Sequence, residues 1–520
     1  MVDYVNKSGD TMTGTLFVPQ SSTRSSANTG SIWSQPGDAN YSGYAEFRAG
    51  DNSRHGYIGY AHKDNGIIQI AAEKSGGHVN FSTGTGAGGP RVNGNEIWHA
   101  GNFNPSQAAN AFGWRDASKY GVQANTGTSQ NASLALAEAS LPADGGVIVL
   151  PPGTITLGDT FTFTRQNVTL LGSGKYATFI DCTRLDTDVI CFNGNYSGVK
   201  DCAFKSSAGD RTSGYTVNLR GAYTFCRDVD IRHCFRGIRM GPVAGNCLVH
   251  NNTMTFIATG SNRGAIVVDN PSYGPSNWIS NCTIYGDGND PTSSGPVGPR
   301  PEFGVQIVNS GATMINNTDI LGFFNNLIIN PGNGQTAQAT YCSDVYFDSG
   351  QRDNILISPS GNGFVFETSF SNCWLTNTRS ENSFGLRILG NGATGNSGRP
   401  VMNTRWDNGI IASTSNNPGY GFLVEGVGCI NTVLSNSTVA GWGIGVCVGT
   451  NTSHVMIVNN MIGKYLPWDP NRANSTGLAL VAGNGGWIMA RNNMVYGNNQ
   501  AFLNQGPTGG NNYVDGNPGI

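Results

Sequence analysis

Three aspartates, Asp319, Asp348 and Asp407, fall at outward positions of one recurring strand segment, together with Tyr346, Trp374 and Arg405. Where Asp, Glu, Lys and Arg make up only 12% of the chain, that concentration marks a candidate site. A pair of carboxyl groups suits glycosidic chemistry, because one protonates the leaving oxygen while the other acts as base or nucleophile. Tyr and Trp rings stack on the apolar faces of sugar rings, and Asp and Arg pair with sugar hydroxyls. Asp348, Asp407 and Asp319 are therefore the candidate catalytic residues, and Trp374, Tyr346, Arg405 and Glu302 the candidate substrate contacts. The same charges on neighbouring strands also fit a solvated ion-pair ladder without activity. Glu302, Glu367, Glu381 and Glu425 are rival acids. Proton abstraction beside a uronate needs a base and a cation, for which Arg405 with Tyr346, Lys205 with Arg232, or the His233 and His250 region would serve. An esterase finds no G-x-S-x-G here, and no His/Cys spacing indicates a metal, so neither metal nor cofactor is expected.

The segment that positions these residues reads Asn-x-x-Ile-x-Gly, plainest at Asn281-Cys282-Thr283-Ile284-Tyr285-Gly286 and Asn317-Thr318-Asp319-Ile320-Leu321-Gly322. It alternates with a strand of the form Gly-Val-x-Ile that starts at Gly214, Gly237, Gly264, Gly304, Asn326, Asn354, Gly385, Gly421, Gly443 and Gly477. Repeats of this length built only from short strands make a solenoid, and the variable insertions favour a right-handed parallel β-helix over a propeller. Side chains alternate across a strand, so each position acquires a side. Position two (Cys202, Val229, Cys282, Val345, Cys373) and position four (Phe204, Ile231, Ile284, Ile320, Phe347, Leu375, Trp406, Val439) point inward. The repeated Asn sits at a bend as an amide ladder. Positions three and five point outward and hold the candidate residues. At about 4.8 Å per coil, Asp348 and Asp407 lie about 9.6 Å apart and Asp319 and Asp348 about 8 Å. The second lies within, and the first at the upper edge of, the spacing of about 6.5–9.5 Å that leaves room for a water, hence an inverting hydrolase. In the Gly-Val-x-Ile strand, Ile266, Ile328, Leu356 and Leu423 face outward as an apolar stripe, expected to be a subunit contact.

Composition agrees with an all-β solenoid. The 74 Gly and 59 Asn supply tight turns, and 38% hydrophobic residues supply a core, which excludes disorder. A net charge of −3 with no basic run gives no footprint for nucleic acid. No apolar stretch is long enough to insert in a membrane, and residues 1–6 lack the pattern of a signal peptide, so synthesis in the cytoplasm is expected. Eleven scattered Cys read as small buried hydrophobes.

Texture changes near residue 105. Before it, Asn6-Lys7-Ser8-Gly9-Asp10-Thr11-Met12-Thr13-Gly14 and Trp98-His99-Ala100-Gly101-Asn102-Phe103 resemble the NKSGDTMTG and WHAGNF motifs of bacteriophage tail-fibre proteins. After it, Tyr120-Gly121-Val122, an Ala/Leu-rich helix over 129–139 and a strand ending in Leu150-Pro151-Pro152-Gly153 resemble the start of the pectate-lyase-like β-helix of phage tailspikes. The resemblance implies a β-rich virion-attachment module over 1–105, a linker and capping helix over 106–145 and a β-helix over 146–520. It further implies a homotrimer on the virion tail, joined to a tail or baseplate protein through the N-terminal module, with a bacterial surface polysaccharide as receptor. Hydrolysis, lyase chemistry and binding without cleavage all stay open at this point.

Overall fold

The computed structural model describes short stretches within residues 44–96, then residues 113–520 apart from 242–244, 256–258, 271–275, 287–299, 378–382, 391, 416–417, 465–471, 484, 506–511 and 520. The chain divides into two compact units, Met1–Asn104 and Pro105–Ile520. In the first, Tyr44–Arg48, Arg54–Tyr60 and Ile68–Ala72 form an antiparallel sheet, and Arg91–Val92 pairs with Asn95–Glu96. Residues 6–16 and 97–103, which carry the fibre-like motifs, lie outside the described residues, as does Glu381.

The second unit opens with Trp114–Asp116, a 3-10 turn at Ala117–Tyr120 and the helix Asn131–Ala139. Gly121 ends the turn at a φ of 91°, which a side chain would strain. The helix buries Leu134 and Ala137 on the first coil. Its Glu138 Oε1 accepts the backbone N–H groups of Thr164 (2.9 Å) and Arg165 (3.2 Å), so the helix seals the end of the solenoid.

Every later strand pairs in parallel with its counterpart one coil on, giving the expected parallel β-helix with three walls. In the middle coils, residues 340–343 form wall A, residues 345–348 wall B and Asp353–Ile357 wall C. Thirteen wall C strands, from Phe161–Phe163 to Gln500–Asn504, make one sheet. Walls A and B bend into each other at Asp201, Asp228, Asn251, Asn281, Asn317, Asp344, Asn372, Asn408, Asn436, Asn459 and Asn492, all with φ between 44° and 57°. Asn and Asp tolerate this left-handed conformation best among residues with side chains. The amides also bridge coils: Asn317 Nδ2 donates to Asn281 Oδ1 and Asn408 Nδ2 to Asn372 Oδ1, each at 2.6 Å. A second left-handed corner precedes wall A, at Tyr196, Tyr223, Asn246, Ala339, Glu367, Asn403, Asn431, His454 and Trp487 among others.

Positions two and four form the core as expected, with Cys202, Val229, Phe204, Ile320, Phe347 and Leu375 buried. All eleven cysteines are buried too, and burial pushes the Cys247 and Cys282 thiols up to about 11. Two expectations are corrected. Trp406 is a core residue, but of wall A, because Asn403 occupies the other corner and Asn408 is the bend before wall B. The wall C stripe is not open to solvent. Ile266 points into the core, since Ala265 rather than Gly264 takes the glycine position of its coil. Ile328, Leu356 and Leu423 do point outward, yet each is buried within the chain itself. Ile328 packs with Val267 and Phe303, and Leu423 with Cys447 and Ala479, in small clusters outside the main core.

Replacing Asn372 by Ala forces a Cβ-bearing residue without a local hydrogen-bonding group through the left-handed corner and removes the bond from Asn408. Thermal unfolding should show a loss of about 1–2 kcal/mol, with a smaller loss for Asn372→Gly, which meets no left-handed penalty.

Candidate functional site

Wall B presents two outward rows, each fixed by the pairing of successive coils. One runs Thr283, Asp319, Tyr346, Trp374, Ile410, and the other Tyr285, Leu321, Asp348, Thr376, Ala412. Tyr346 and Trp374 stack with ring centroids 5.3 Å apart and planes inclined by 21°, forming a half-exposed platform. Asp319 precedes the platform in the same row, one coil before Tyr346. Asp348 stands beside it, two residues beyond Tyr346 on the same strand. One coil step and two residues along the strand put the backbones of Asp319 and Asp348 about 8 Å apart.

The two carboxyls have different surroundings. Desolvation raises the Asp319 carboxyl above its ordinary range. Asp348 Oδ1 accepts the Thr376 hydroxyl from the next coil and the Ser349 hydroxyl at 3.1 Å, which fixes its orientation. The phenol of Tyr346 is raised by desolvation, then by Asp348 and Asp319; that of Tyr285 is raised by desolvation and then by Asp319. Both tyrosines therefore lie in the field of the Asp319 carboxylate.

Four of the residues read from the sequence thus come together: Asp319, Asp348, Tyr346 and Trp374. The other three do not. Arg405 pairs with Ser369 and Val433, and Asp407 with Ser371 and Ser435, so both belong to wall A. Asp407 Oδ1 accepts the Ser435 hydroxyl at 2.6 Å and the Asn436 amide at 2.8 Å, so this carboxylate braces the corner ladder. Glu302 lies on the wall C strand Pro301–Asn309, where it accepts the backbone N–H of Asn262. Glu425 is also on wall C, and Glu367 is at the corner before wall A. Lys205, Arg232 and His233 line a separate cavity of about 280 Å³ on earlier coils, where Arg232 is held by the buried Asp230 at 2.7 Å. Among the described residues no cluster of three His, Cys, Asp or Glu is placed to hold a metal ion. Tyr285 and Thr376 were missed as site residues although both stand at position five of the repeat. Their signal was adjacency to Asp319 and Asp348 one coil away.

No protein-family model matches the chain, and no curated protein does. Among solved structures it is similar to the pre-mature gene product 12 of bacteriophage phi29, at 13% identity and a TM-score of 0.51 over 75% of this chain and 54% of that one. The chain thus spans about half the length of that protein. It is also similar to the tailspike protein of E. coli bacteriophage HK620 in complex with a pentasaccharide (11% identity, TM-score 0.44, 74% of this chain and 76% of that one). A third is the catalytic unit of an alpha-1,3-glucanase from Streptomyces thermodiastaticus (12% identity, TM-score 0.44, 76% of this chain and 68% of that one). With the phi29 protein, what is shared at this identity is the fold.

The raised Asp319 carboxyl has a consequence for stability with a definite sign. Below the ordinary carboxylate value near 3.8, folded and unfolded chains are both protonated at this residue, and Asp319→Asn changes little. As pH rises through the folded value, the ionised group destabilises the native state and the amide does not. Melting curves of the two proteins should diverge upward from acid pH, with Asp319→Asn the more stable near neutrality.

Proposed function

We propose that this chain is a phage tailspike that binds and cleaves a bacterial surface polysaccharide, O-antigen or capsule, as an inverting glycoside hydrolase. The observation that carries the reading is the placement of Asp319 at one end of the Tyr346–Trp374 stack and of Asp348 beside it, on an outer wall of a parallel β-helix. A sugar ring lies on the platform with its apolar face against the indole. Asp319, which keeps its proton more readily than an ordinary carboxyl, protonates the glycosidic oxygen as the bond to the anomeric carbon breaks. A water on the opposite face attacks that carbon and gives its proton to Asp348. The spacing of about 8 Å leaves room for this water and favours inversion over a covalent intermediate. Asp407, on the other wall, takes no part.

In this reading the N-terminal unit joins the protein to a tail or baseplate component, and three copies assemble on the virion.

Incubation with purified O-antigen and capsular polysaccharides tests this. The expected products are new reducing ends without the ultraviolet absorbance of an unsaturated sugar. Asp319→Asn and Asp348→Asn should each lower kcat by about 10²–10⁴-fold, and Trp374→Ala should raise KM about tenfold. An unsaturated product would make the protein a lyase, and polymer bound without product would make it a receptor-binding fibre. Light scattering should give three times the chain mass of 54.8 kDa.

A further inference from the structure

Wall A carries a cleft that the wall B chemistry leaves unused. It encloses about 500 Å³ beside the corner where Glu367, Asn403 and Asn431 follow one another on successive coils. Two rows of hydrogen-bonding groups line it, both running with the helix axis. The corner row offers the Glu367 carboxylate and the two amides, with Asn431 Nδ2 donating to Asn403 Oδ1 at 3.0 Å. Two residues further along the strands, Tyr341, Ser369 and Arg405 form the facing row, fixed by the pairing of their coils. It supplies a phenol, a hydroxyl and a guanidinium.

The corner itself demands no carboxylate, since Ala339 occupies it one coil before Glu367. Large side chains, Tyr196, Tyr223 and Trp487, hold the same corner on other coils, and Glu367 is the residue that brings a carboxylate to it among the described residues. Desolvation and the facing Glu367 raise the Tyr341 phenol, so this carboxylate is engaged with the ring across the cleft. Arg405 is exposed, and among the described residues it forms no ion pair. A guanidinium whose donors face open space beside hydroxyls and amides fits a carboxylate, which it takes in bidentate fashion.

We propose that the wall A cleft is a second saccharide site that takes a carboxylate-bearing sugar residue, with Arg405 on the carboxylate and Ser369, Asn403 and Asn431 on the hydroxyls. The inference rests on the reading of the chain as a polysaccharide-binding protein and adds that its polymer is acidic. The same coils carry both sites: Tyr341 and Tyr346 share one strand, five residues apart. A polymer lying on the Tyr346–Trp374 platform therefore reaches Arg405 by crossing a single corner.

The test is affinity electrophoresis of the full chain through gels containing polygalacturonate, alginate or hyaluronate, with dextran as the neutral control. At least one acidic polymer should retard the protein and dextran should not. Arg405→Gln should weaken that retardation at least tenfold, Arg405→Lys should restore part of it, and Arg184→Gln, which removes an equal charge elsewhere, should leave it unchanged. Circular dichroism melts of all variants establish that they fold. Retardation that survives Arg405→Gln, or that falls equally in Arg184→Gln, overturns the cleft while leaving the wider reading standing. If dextran alone retards the protein, the acidic polymer is wrong and the wider reading survives. If no polymer retards it, the acidic-sugar cleft falls, while the wider reading is decided by the incubation with O-antigen and capsular polysaccharides.

Discussion

The backbone must turn through a left-handed conformation twice in most coils, and much else in the molecule follows from that constraint. Residues with φ above zero are few in kind, so Asn and Asp gather at the corner between walls A and B. Their amides then bond from coil to coil, as between Asn317 and Asn281, which locks each corner over the last. With corners in register, the strands between them are in register as well. Outward residues on successive coils thus stand in rows, and Asp319, Tyr346 and Trp374 become neighbours although they are 27 and 28 residues apart in sequence.

Rows of this kind let a chain poor in charge build a charged site. Each coil contributes one or two side chains, and no loop has to hold them. The difference between the carboxyls arises from their place in the rows. Asp319, though exposed, is flanked by Tyr285 and Tyr346 and is partly desolvated, whereas Asp348 gains hydroxyl donors from Ser349 and from Thr376 on the following coil. A pair made unlike in this way suits acid and base roles on opposite faces of one bond. The exposed guanidinium of Arg405, across the corner, extends the polar surface to a second wall.

The repeat was legible because both of its demands leave a mark in sequence: small polar residues at the bend and aliphatic residues at positions two and four. Asp319, Asp348, Tyr346 and Trp374 were correctly placed for that reason. The reading slipped at Asn403-Thr404-Arg405-Trp406-Asp407, which has the composition of the bend segment. Asn403 is in fact a left-handed residue, but at the other corner of its coil, where Asn also occurs, as at Asn246 and Asn431. Nothing in the five residues distinguishes them; only the count to Asn408 does. Gly264 misled in the same way, one residue early, and turned Ile266 outward. The stripe of Ile328, Leu356 and Leu423 was read on the correct side, but alternation gives a direction and not a cover. Neighbours such as Phe303 reach over the sheet and bury it, which depends on side-chain lengths in adjacent coils.

The central claim is the register that puts acids and rings on one wall and Arg405 on another, and engineered disulfides measure it directly. Tyr346 and Trp374 are paired across adjacent coils, so their backbones lie about 4.8 Å apart, within the range a disulfide spans. A chain carrying Tyr346→Cys and Trp374→Cys should close a bond on mild oxidation, seen by mass spectrometry of proteolytic peptides. One carrying Trp374→Cys and Arg405→Cys should not, because a corner separates those walls. A bond in the second protein and none in the first would contradict the wall assignment and with it the site built on it.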